Sequence, residues 1–515
     1  MFSIDTVFPR RVQDRALPWV VAAAALAAGL TVAQPYAVGV FHDDGAYAIL
    51  AKSIAEGHGF RFLHLPGDPM AVHYPPGYPL LLAVLWWVFP EFPANVPVLL
   101  AANALFLGAI ALGVQHFATR VLGWKPFAAA GAALVATLSL PLLLLSGIMV
   151  SEPLFAAVLF SVLAIAEGMV RRGRPRWHFL VFGLACGGLA LIRTHGLALP
   201  AAAVVLLMWR RRWVEAAVCA GGVVIALAPW QVWQAMYATQ LPEALEGSYG
   251  SYVGWFIEGL RHDGFLPRTL ATNAREMSAL VSGRFAFSDR GVAAALGSIM
   301  AVAVVAFGAW RAFARAPVTV TFAAIYLAIV MLWPYTPWRF VFGVWPLFVL
   351  FIGETLRFGL GGVRQRRPAA IMALAAGTIV AAGVVAREAG AMRAKAWAMP
   401  GRTATQQTVP SLVWIVRNTR PEDLVASEAA ELVFLYTGRR SVPVMPFEAR
   451  EYGVPRNADL DGAGLRKVVE TLPVDYVATI SRDLRVAAAG VAYGSGIRLS
   501  LVDTLSAAGV FRVTR

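Results

Sequence analysis

The sequence is poor in charge and in cysteine, and each shortage excludes a class of protein. Only 14% of its 515 residues are Asp, Glu, Lys or Arg, against 58% hydrophobic residues and a mean hydropathy of +0.64. A water-soluble fold cannot cover so much apolar mass with so little polar surface, so a polytopic α-helical membrane protein is expected. The two cysteines, Cys186 and Cys219, both lie inside apolar segments, which excludes a disulfide framework or a cysteine zinc site. Acids are scarcer than bases, 30 Asp and Glu to 44 Lys and Arg, for a net charge of +14. The cations sit in short runs beside apolar segments, so the excess reads as membrane topology and not as nucleic-acid binding. Neither an internal repeat nor a low-complexity tract is present.

What fills the chain is apolar segments. They run at about 17–40, 97–118, 126–145, 150–170, 177–193, 196–209, 213–230, 290–312, 318–334, 340–357 and 369–386, which predicts about eleven spans. Pro79 to Phe89 is too short to cross and is expected in the interface or as a re-entrant piece. Arg10, Arg11 and Arg15 before Leu17 to Val32 imitate a signal peptide, with a weak small-residue site at Thr31 to Gln34. The consistent topology downstream favours an uncleaved first span instead. Arg120 with Lys125, then Arg171, Arg172, Arg174 and Arg176, then Arg210 to Arg212, Arg311 with Arg315, and Arg364 with Arg366 and Arg367 occupy alternate connections, on the side of the amino terminus. By the positive-inside rule that side is cytoplasmic. The expectation is a multi-pass protein of the inner (plasma) membrane, with Asp43, Asp44, the loop from Gln231 to Arg290, Arg339 and everything after Arg387 outside the cytoplasm.

The stretch from His42 to Pro79 carries the strongest hint of chemistry. Asp43 and Asp44 follow directly on the first span, an expensive place for charge. Ala46, Ile49, Leu50 and Ile54 at helical spacing beside Lys52 and Glu56 predict a short interfacial helix ended by Gly57 and Gly59. Pro75, Pro76 and Pro79 then fix a bend before LLLAVLWWVF. The same membrane face is predicted to gather His73 and Tyr74, Glu152 at a span start, Arg193 and His195 at a span end, and Arg339 in PYTPWRF. Taken singly these residues have simpler roles, as capping acids, snorkelling arginines or hydrogen-bonded histidines. Acids and cations converging at one surface are what an enzyme needs, whereas a transporter places such groups near the midplane. Asp43 and Asp44 are therefore the expected catalytic residues, with His73, Tyr74, Glu152, Arg193, His195 and Arg339 binding substrate. His42, Asp43, Asp44 and Glu152 offer ligands for a divalent metal, although no fixed ligand spacing supports a site, and no soluble cofactor is implied. Tyr249, Tyr252, Trp255 and Phe256 are expected on one face of an interfacial helix.

A membrane part is expected over 1–392 and a soluble domain over 393–515. In the latter, SLVWIVRNT, AAELVFLYTG and LRKVVETL read as helices, LVASE, RSVPVM and DYVATI as strands, and LSLVDTLSAAGVFRVTR as a hairpin, which makes a small α/β domain with a partly parallel sheet. Without a Gly-rich phosphate loop, a nucleophile elbow or a cysteine, it is assigned no chemistry.

The pattern DDGAYAILAKSIAEGHGF, then HYPPGYPLLLAVLWWVF, SEPLFAAVLF, GLALIRTHGLALP and PWRFVFGVWPLFVLF, resembles the GT-C superfamily of integral membrane glycosyltransferases. Within it, the likeness is to the branch of protein O-mannosyltransferases and lipid A aminoarabinose transferases, and it covers Leu17 to about Phe358. It implies inverting transfer of a sugar from a polyprenyl-phosphate donor to a glycolipid, polysaccharide or protein acceptor, with Asp43 at the position of the family's catalytic base. The chain departs from the lipid A-modifying branch at His73 and Tyr74, where that branch has a Glu-Lys pair, so neither that substrate nor that donor contact transfers. Glu152 matches an acidic family position only approximately. A transporter or flippase of lipid-linked saccharides and a non-catalytic scaffold are the rival classes.

Overall fold

The computed structural model describes residues 10–515 apart from 34–35, 172–173, 286–290, 364, 446, 492–495 and 506–507, and only the backbone of 10–15, 505 and 508. Arg172, Arg290, Arg364 and the Gln34 end of the cleavage-site reading lie outside the described residues. Among the described residues, six helices are long and apolar enough to cross a bilayer: Val96–Arg120, Glu152–Arg171, Trp213–Gln240, Gly291–Phe313, Trp345–Val363 and Pro368–Arg393. The expected segment 126–145 is instead two helices, Pro126–Thr137 and Leu140–Ser146, bent by 57°. Pro141, in the first turn of the second helix, cannot continue the first. Carbonyls at the break are taken by hydroxyls, Thr137 Oγ1 donating to Ala133 O at 2.7 Å and Ser139 Oγ to Ala136 O at 2.6 Å. The other four expected segments are shorter apolar helices, Ala16–Val32, Arg176–Ile192, Thr194–Trp209 and Pro317–Leu332. The chain is a polytopic α-helical membrane protein.

Close helix crossings need small residues, because lipid gives apolar helices no hydrophobic drive to associate and dispersion must act at short range. A Cβ on Gly183 would lie 2.1 Å from Cys219 O, and one on Gly222 2.4 Å from Leu180 O, so Arg176–Ile192 and Trp213–Tyr237 meet backbone to backbone. Cys186 and Cys219 are buried and unpaired in disulfides there.

The carboxy-terminal sheet has five strands, β1 (Val425–Ser427), β2 (Ser441–Pro443), β3 (Tyr476–Thr479), β4 (Arg498–Leu505) and β5 (Ala508–Thr514), in the order β2-β1-β3-β5-β4. β1 pairs parallel with β2 and β3, and β3 and β4 pair antiparallel with β5. The expected helices are there as Met399–Asn418, Ala430–Thr437, closed by Gly438 at φ 72°, and Ala458–Thr471. Arg482–Gly490 is a helix that sequence reading missed: it is short and Ala-rich, and its clearest signal is the Ser481 cap, whose hydroxyl accepts from Leu484 N at 3.3 Å.

One hydrophobic core joins this sheet to the first large loop, with Val38, Tyr47, Leu50, Tyr74 and Tyr78 packed in the same cluster as Leu424, Val442, Val477 and Phe511. The expected short helix is there as Asp43–Ala55, and every residue from Asp44 to Ala51 is buried. One expectation is corrected. Tyr249 and Tyr252 do not share a helix: Glu243–Tyr249 ends at Gly250, and Tyr252–Leu260 restarts with Ser251 Oγ accepting from Gly254 N at 3.0 Å. The same loop holds the unanticipated helix Phe265–Phe285, whose charges at Arg268, Arg275, Glu276 and Arg284 interrupt any apolar run. From it, Asn273 Nδ2 donates to the carbonyls of Val330, Met331 and Trp333 at 2.8–3.2 Å, capping the end of Pro317–Leu332.

Candidate active site

Asp43 and Asp44 open one helix, and neighbouring helical side chains point about 100° apart. Asp44 is fully buried and turns back on the chain: Oδ2 accepts from Gly39 N at 2.8 Å and Oδ1 from Phe41 N at 3.0 Å. Burial pushes its carboxyl up to about 6, even against those bonds. Asp43 faces the other way. Its Oδ1 accepts from Tyr74 OH at 2.9 Å and its Oδ2 from Arg339 Nη1 at 2.7 Å. Burial pushes this carboxyl up as well, but the charges of Arg339 and His42 outweigh it and hold the group at about 2, so Asp43 is ionised.

Arg339 is delivered by a break that the expected span 340–357 did not anticipate. Trp338–Gly343 is a separate short helix after Pro337, and the spanning helix begins only at Trp345, with Pro346 in its first turn. From there Arg339 Nε donates to Glu152 Oε1 at 2.9 Å. Glu152 is fully buried in the first turn of its helix, where the dipole favours an acid, and its Oε2 lies 3.0 Å from Arg193 Nη1. Asp43, Arg339, Glu152 and Arg193 thus form a ladder of alternating charge running from the sheet side toward the spanning helices. Arg339 Nη2, though 2.9 Å from the same Glu152 oxygen, is not aligned to donate to it, and it and Arg193 Nε are buried without a partner among the described residues.

Aromatic residues make the opposite wall. His73 Nδ1 donates to Gly250 O at 2.6 Å, and its ring packs 4.2 Å from that of Tyr252 and 4.8 Å from those of Tyr74 and Trp255. Burial lowers His73 to about 4, so the ring is neutral. His195 stacks 4.4 Å from Phe340, and its Nε2 has no partner among the described residues. Between the two walls lies a cavity of about 170 Å³, lined by Asp43, His73, Tyr74, Arg193, His195 and Arg339. Asp44 and Glu152 do not line it: the first is bound to the backbone before it, the second lies beneath the two arginines.

Two residues of the same cavity region were missed as site residues. From the sequence His42 reads only as a metal ligand, and Glu431 belongs to the sheet unit, which carries no recognisable chemical motif. Glu431 is fully buried, with Oε2 2.9 Å from His42 Nδ1 and Oε1 accepting from Tyr249 OH at 2.6 Å. The approach is close enough that a Cβ on Gly45 would lie 2.5 Å from Glu431 Cβ, and one on Gly39, at φ 106°, 2.6 Å from Leu432 N. An acid within AAELVFLYTG was the only signal available. The proposed metal ligands do not converge: Asp43 is taken by Arg339 and Tyr74, Asp44 by backbone N–H groups, and no group of three His, Cys, Asp or Glu among the described residues suits an ion.

No protein-family model matches the sequence, and no curated protein sequence matches it. Solved structures do. The archaeal oligosaccharyltransferase AglB from Archaeoglobus fulgidus, in complex with an inhibitory peptide and a dolichol-phosphate, superposes with a TM-score of 0.52 at 12% identity, over 98% of this chain and 77% of that one. The fold is that of the GT-C glycosyltransferases. The apo form of the Archaeoglobus fulgidus oligosaccharyltransferase gives a TM-score of 0.51 at 13% identity, over 97% and 77% of the two chains. ArnT from Cupriavidus metallidurans bound to undecaprenyl phosphate gives 0.46 at 16% identity, over 97% and 98%. In this chain the cavity sits where the spanning helices meet the sheet unit, and basic side chains hold the far end of the bundle: Arg210 and Arg212 donate to Val170 O, and Arg357 to Leu122 O.

Proposed function

We propose that the chain is an inverting glycosyltransferase that moves a hexosyl or pentosyl group from a polyprenyl-phosphate donor to a glycolipid, polysaccharide or protein acceptor. The observation that carries this reading is the ionised Asp43 on the wall of a cavity that two arginines, Arg193 and Arg339, also line. When a sugar phosphodiester loses its sugar, the departing polyprenyl phosphate gains a second negative charge. Arg339 and Arg193 line the cavity, and their guanidinium charges would stabilise the departing phosphate as that charge develops. An acceptor hydroxyl loses its proton late, so Asp43 assists mainly in the transition state, by roughly 10² to 10⁴ in rate. The two events are linked, because a phosphate that draws Arg339 away from Asp43 raises the basicity of that carboxylate. Inversion is favoured because Asp43 is the only carboxylate among the described residues lining the cavity, and a retaining path needs a second. That AglB was solved with a dolichol-phosphate supports a lipid-phosphate donor on this fold.

The test is donor cleavage by the purified full chain in nanodiscs, using a synthetic undecaprenyl-phosphate sugar and the acceptor whose glycosylation is lost from a deletion strain. Arg339→Lys keeps the charge but loses the planar fork, and is expected to weaken undecaprenyl phosphate binding; Arg339→Ala weakens it further. Wild-type affinity in both folded variants makes Arg339 a structural anchor only.

The cavity end of the bundle is proposed to face the periplasm or cell exterior, with the amino terminus in the cytoplasm. Nucleotide sugars are cytoplasmic, so an outward site needs a donor that has already crossed, which a lipid-linked sugar provides. An alkaline phosphatase fused after Arg515 is expected to be active. An inactive phosphatase fusion with a fluorescent cytoplasmic one reverses the topology.

A further inference from the structure

His42 has a backbone that few side chains accept. It sits at φ 61° and ψ −68°, outside the helix that follows, in a region where a residue with a Cβ is strained. Strain of this kind persists where the surroundings over-determine it, and here the surroundings are Glu431. The Glu431 carboxylate accepts from Nδ1, which fixes the ring and leaves Nε2 with no hydrogen bond to any described residue. Its side chain is 41% open, and it lines the cavity beside Asp43.

The order of contacts decides what His42 can meet. From the sheet unit inward, Glu431 binds His42, His42 precedes Asp43, and Asp43 binds Arg339, which leads through Glu152 to Arg193 at the spanning helices. A lipid-linked phosphate arrives from the helix side, at the arginines. In an inverting displacement the acceptor approaches from the side opposite the leaving phosphate, which is the side of His42. A second hollow, of about 500 Å³, lies between the loop helices and the sheet unit and shares Trp255 and Phe447 with the first. Its wall mixes Trp255, Ile257 and Phe447 with the charged Glu246, Glu258, Arg261 and Lys467.

We propose that His42 contacts the acceptor, donating from Nε2 to an oxygen next to the reacting hydroxyl, and that Glu431 is a positioning residue acting through His42. The acceptor is a hydrophilic, oxygen-rich group entering by the second hollow. Burial disfavours the imidazolium, but the Glu431 charge more than offsets this and raises His42 to about 9, so the ring donates with a full charge at neutral pH. Asp43 and Asp44 on its own helix act in the same direction, and the Tyr249 ring packs 5.8 Å away.

The proposal rests on the transferase reading, and the assay separates the two. His42→Gly removes the ring at a position whose backbone glycine accepts, but it leaves the buried Glu431 carboxylate without its counter-charge, so a lower thermal stability is expected and the assays use protein that still binds undecaprenyl phosphate. Acceptor KM is expected to rise about ten- to a hundredfold, the worth of one charge-assisted hydrogen bond, with undecaprenyl phosphate affinity within about twofold of wild type. Glu431→Gln is expected to raise acceptor KM in the same way, and the double variant to be no worse than His42→Gly alone. Unchanged acceptor KM in His42→Gly overturns the proposal, as does a loss confined to undecaprenyl phosphate binding. A double variant much worse than His42→Gly overturns the role given to Glu431, and His42→Gly decides the acceptor contact even if Glu431→Gln does not fold. A wild-type protein that neither binds undecaprenyl phosphate nor cleaves its sugar ester fails the transferase reading instead.

Discussion

Asp43→Asn is expected to lower the rate of sugar transfer by roughly 10² or more while undecaprenyl phosphate binding and expression stay near wild type. The change is nearly isosteric: the remaining carbonyl oxygen can accept from Arg339 Nη1, 2.7 Å away, and the new amide N–H can donate to Tyr74 OH, 2.9 Å away, so the wall of the cavity should stand. What it removes is the only proton acceptor of suitable charge lining the cavity among the described residues. Asp44→Asn is expected to act differently. Its carboxylate holds the N–H groups of Gly39 and Phe41 and does not line the cavity, so an amide that keeps one carbonyl oxygen should cost stability of the turn more than turnover. Single-turnover kinetics with donor prebound give the decisive comparison. Near-normal chemistry in Asp43→Asn removes it as the base, and a collapse confined to Asp44→Asn shows that the other member of the pair acts.

The parts of this site that the sequence reveals, and those it hides, follow from the range of the interactions. Spans are legible because a helix in lipid must be apolar along its whole length, and the sheet unit because strand and helix periodicities alternate within short windows. Asp43 and Arg339 are suggestive from the sequence because charge at a span end is costly and therefore conspicuous. Glu431 is not, because an acid in AAELVFLYTG reads as a solvent-facing first-turn residue, and its partner His42 is 389 residues away. The burial of the helix Asp43–Ala55 is hidden for a related reason: Ala48 and Ala51 pack in one cluster with Leu82 and with sheet residues such as Val442 and Val477, far along the chain. The bend after Thr137 was readable from Pro141 but lay within a continuous apolar stretch that length alone assigned to one span.

Glu152→Gln is expected to produce the largest loss of stability of any single charge removal at the site. Glu152 is fully buried, and it is the carboxylate shared by Arg339 Nε at 2.9 Å and Arg193 Nη1 at 3.0 Å. Its neutral amide leaves two buried guanidinium groups with Asp43 as the only remaining counter-charge in the ladder. Breaking a buried pair by removing one partner costs about 3–5 kcal/mol, because the other charge stays desolvated. Transfer should fall too, since Arg339 is then drawn fully onto Asp43 and holds that carboxylate in a form still less ready to take a proton. The same physics predicts a rescue. Removing the charge of Arg193 as well, in Glu152→Gln with Arg193→Gln, restores the balance of one cation to one anion, and the double variant should be more stable than Glu152→Gln alone. Thermal unfolding of the four proteins in nanodiscs measures this coupling. If Glu152→Gln unfolds with wild type, or if the second substitution adds its own full loss, the ladder is not an electrostatic unit, and Arg193 and Arg339 are held in place by packing such as the Phe340 ring 5.4 Å beneath the Arg193 guanidinium.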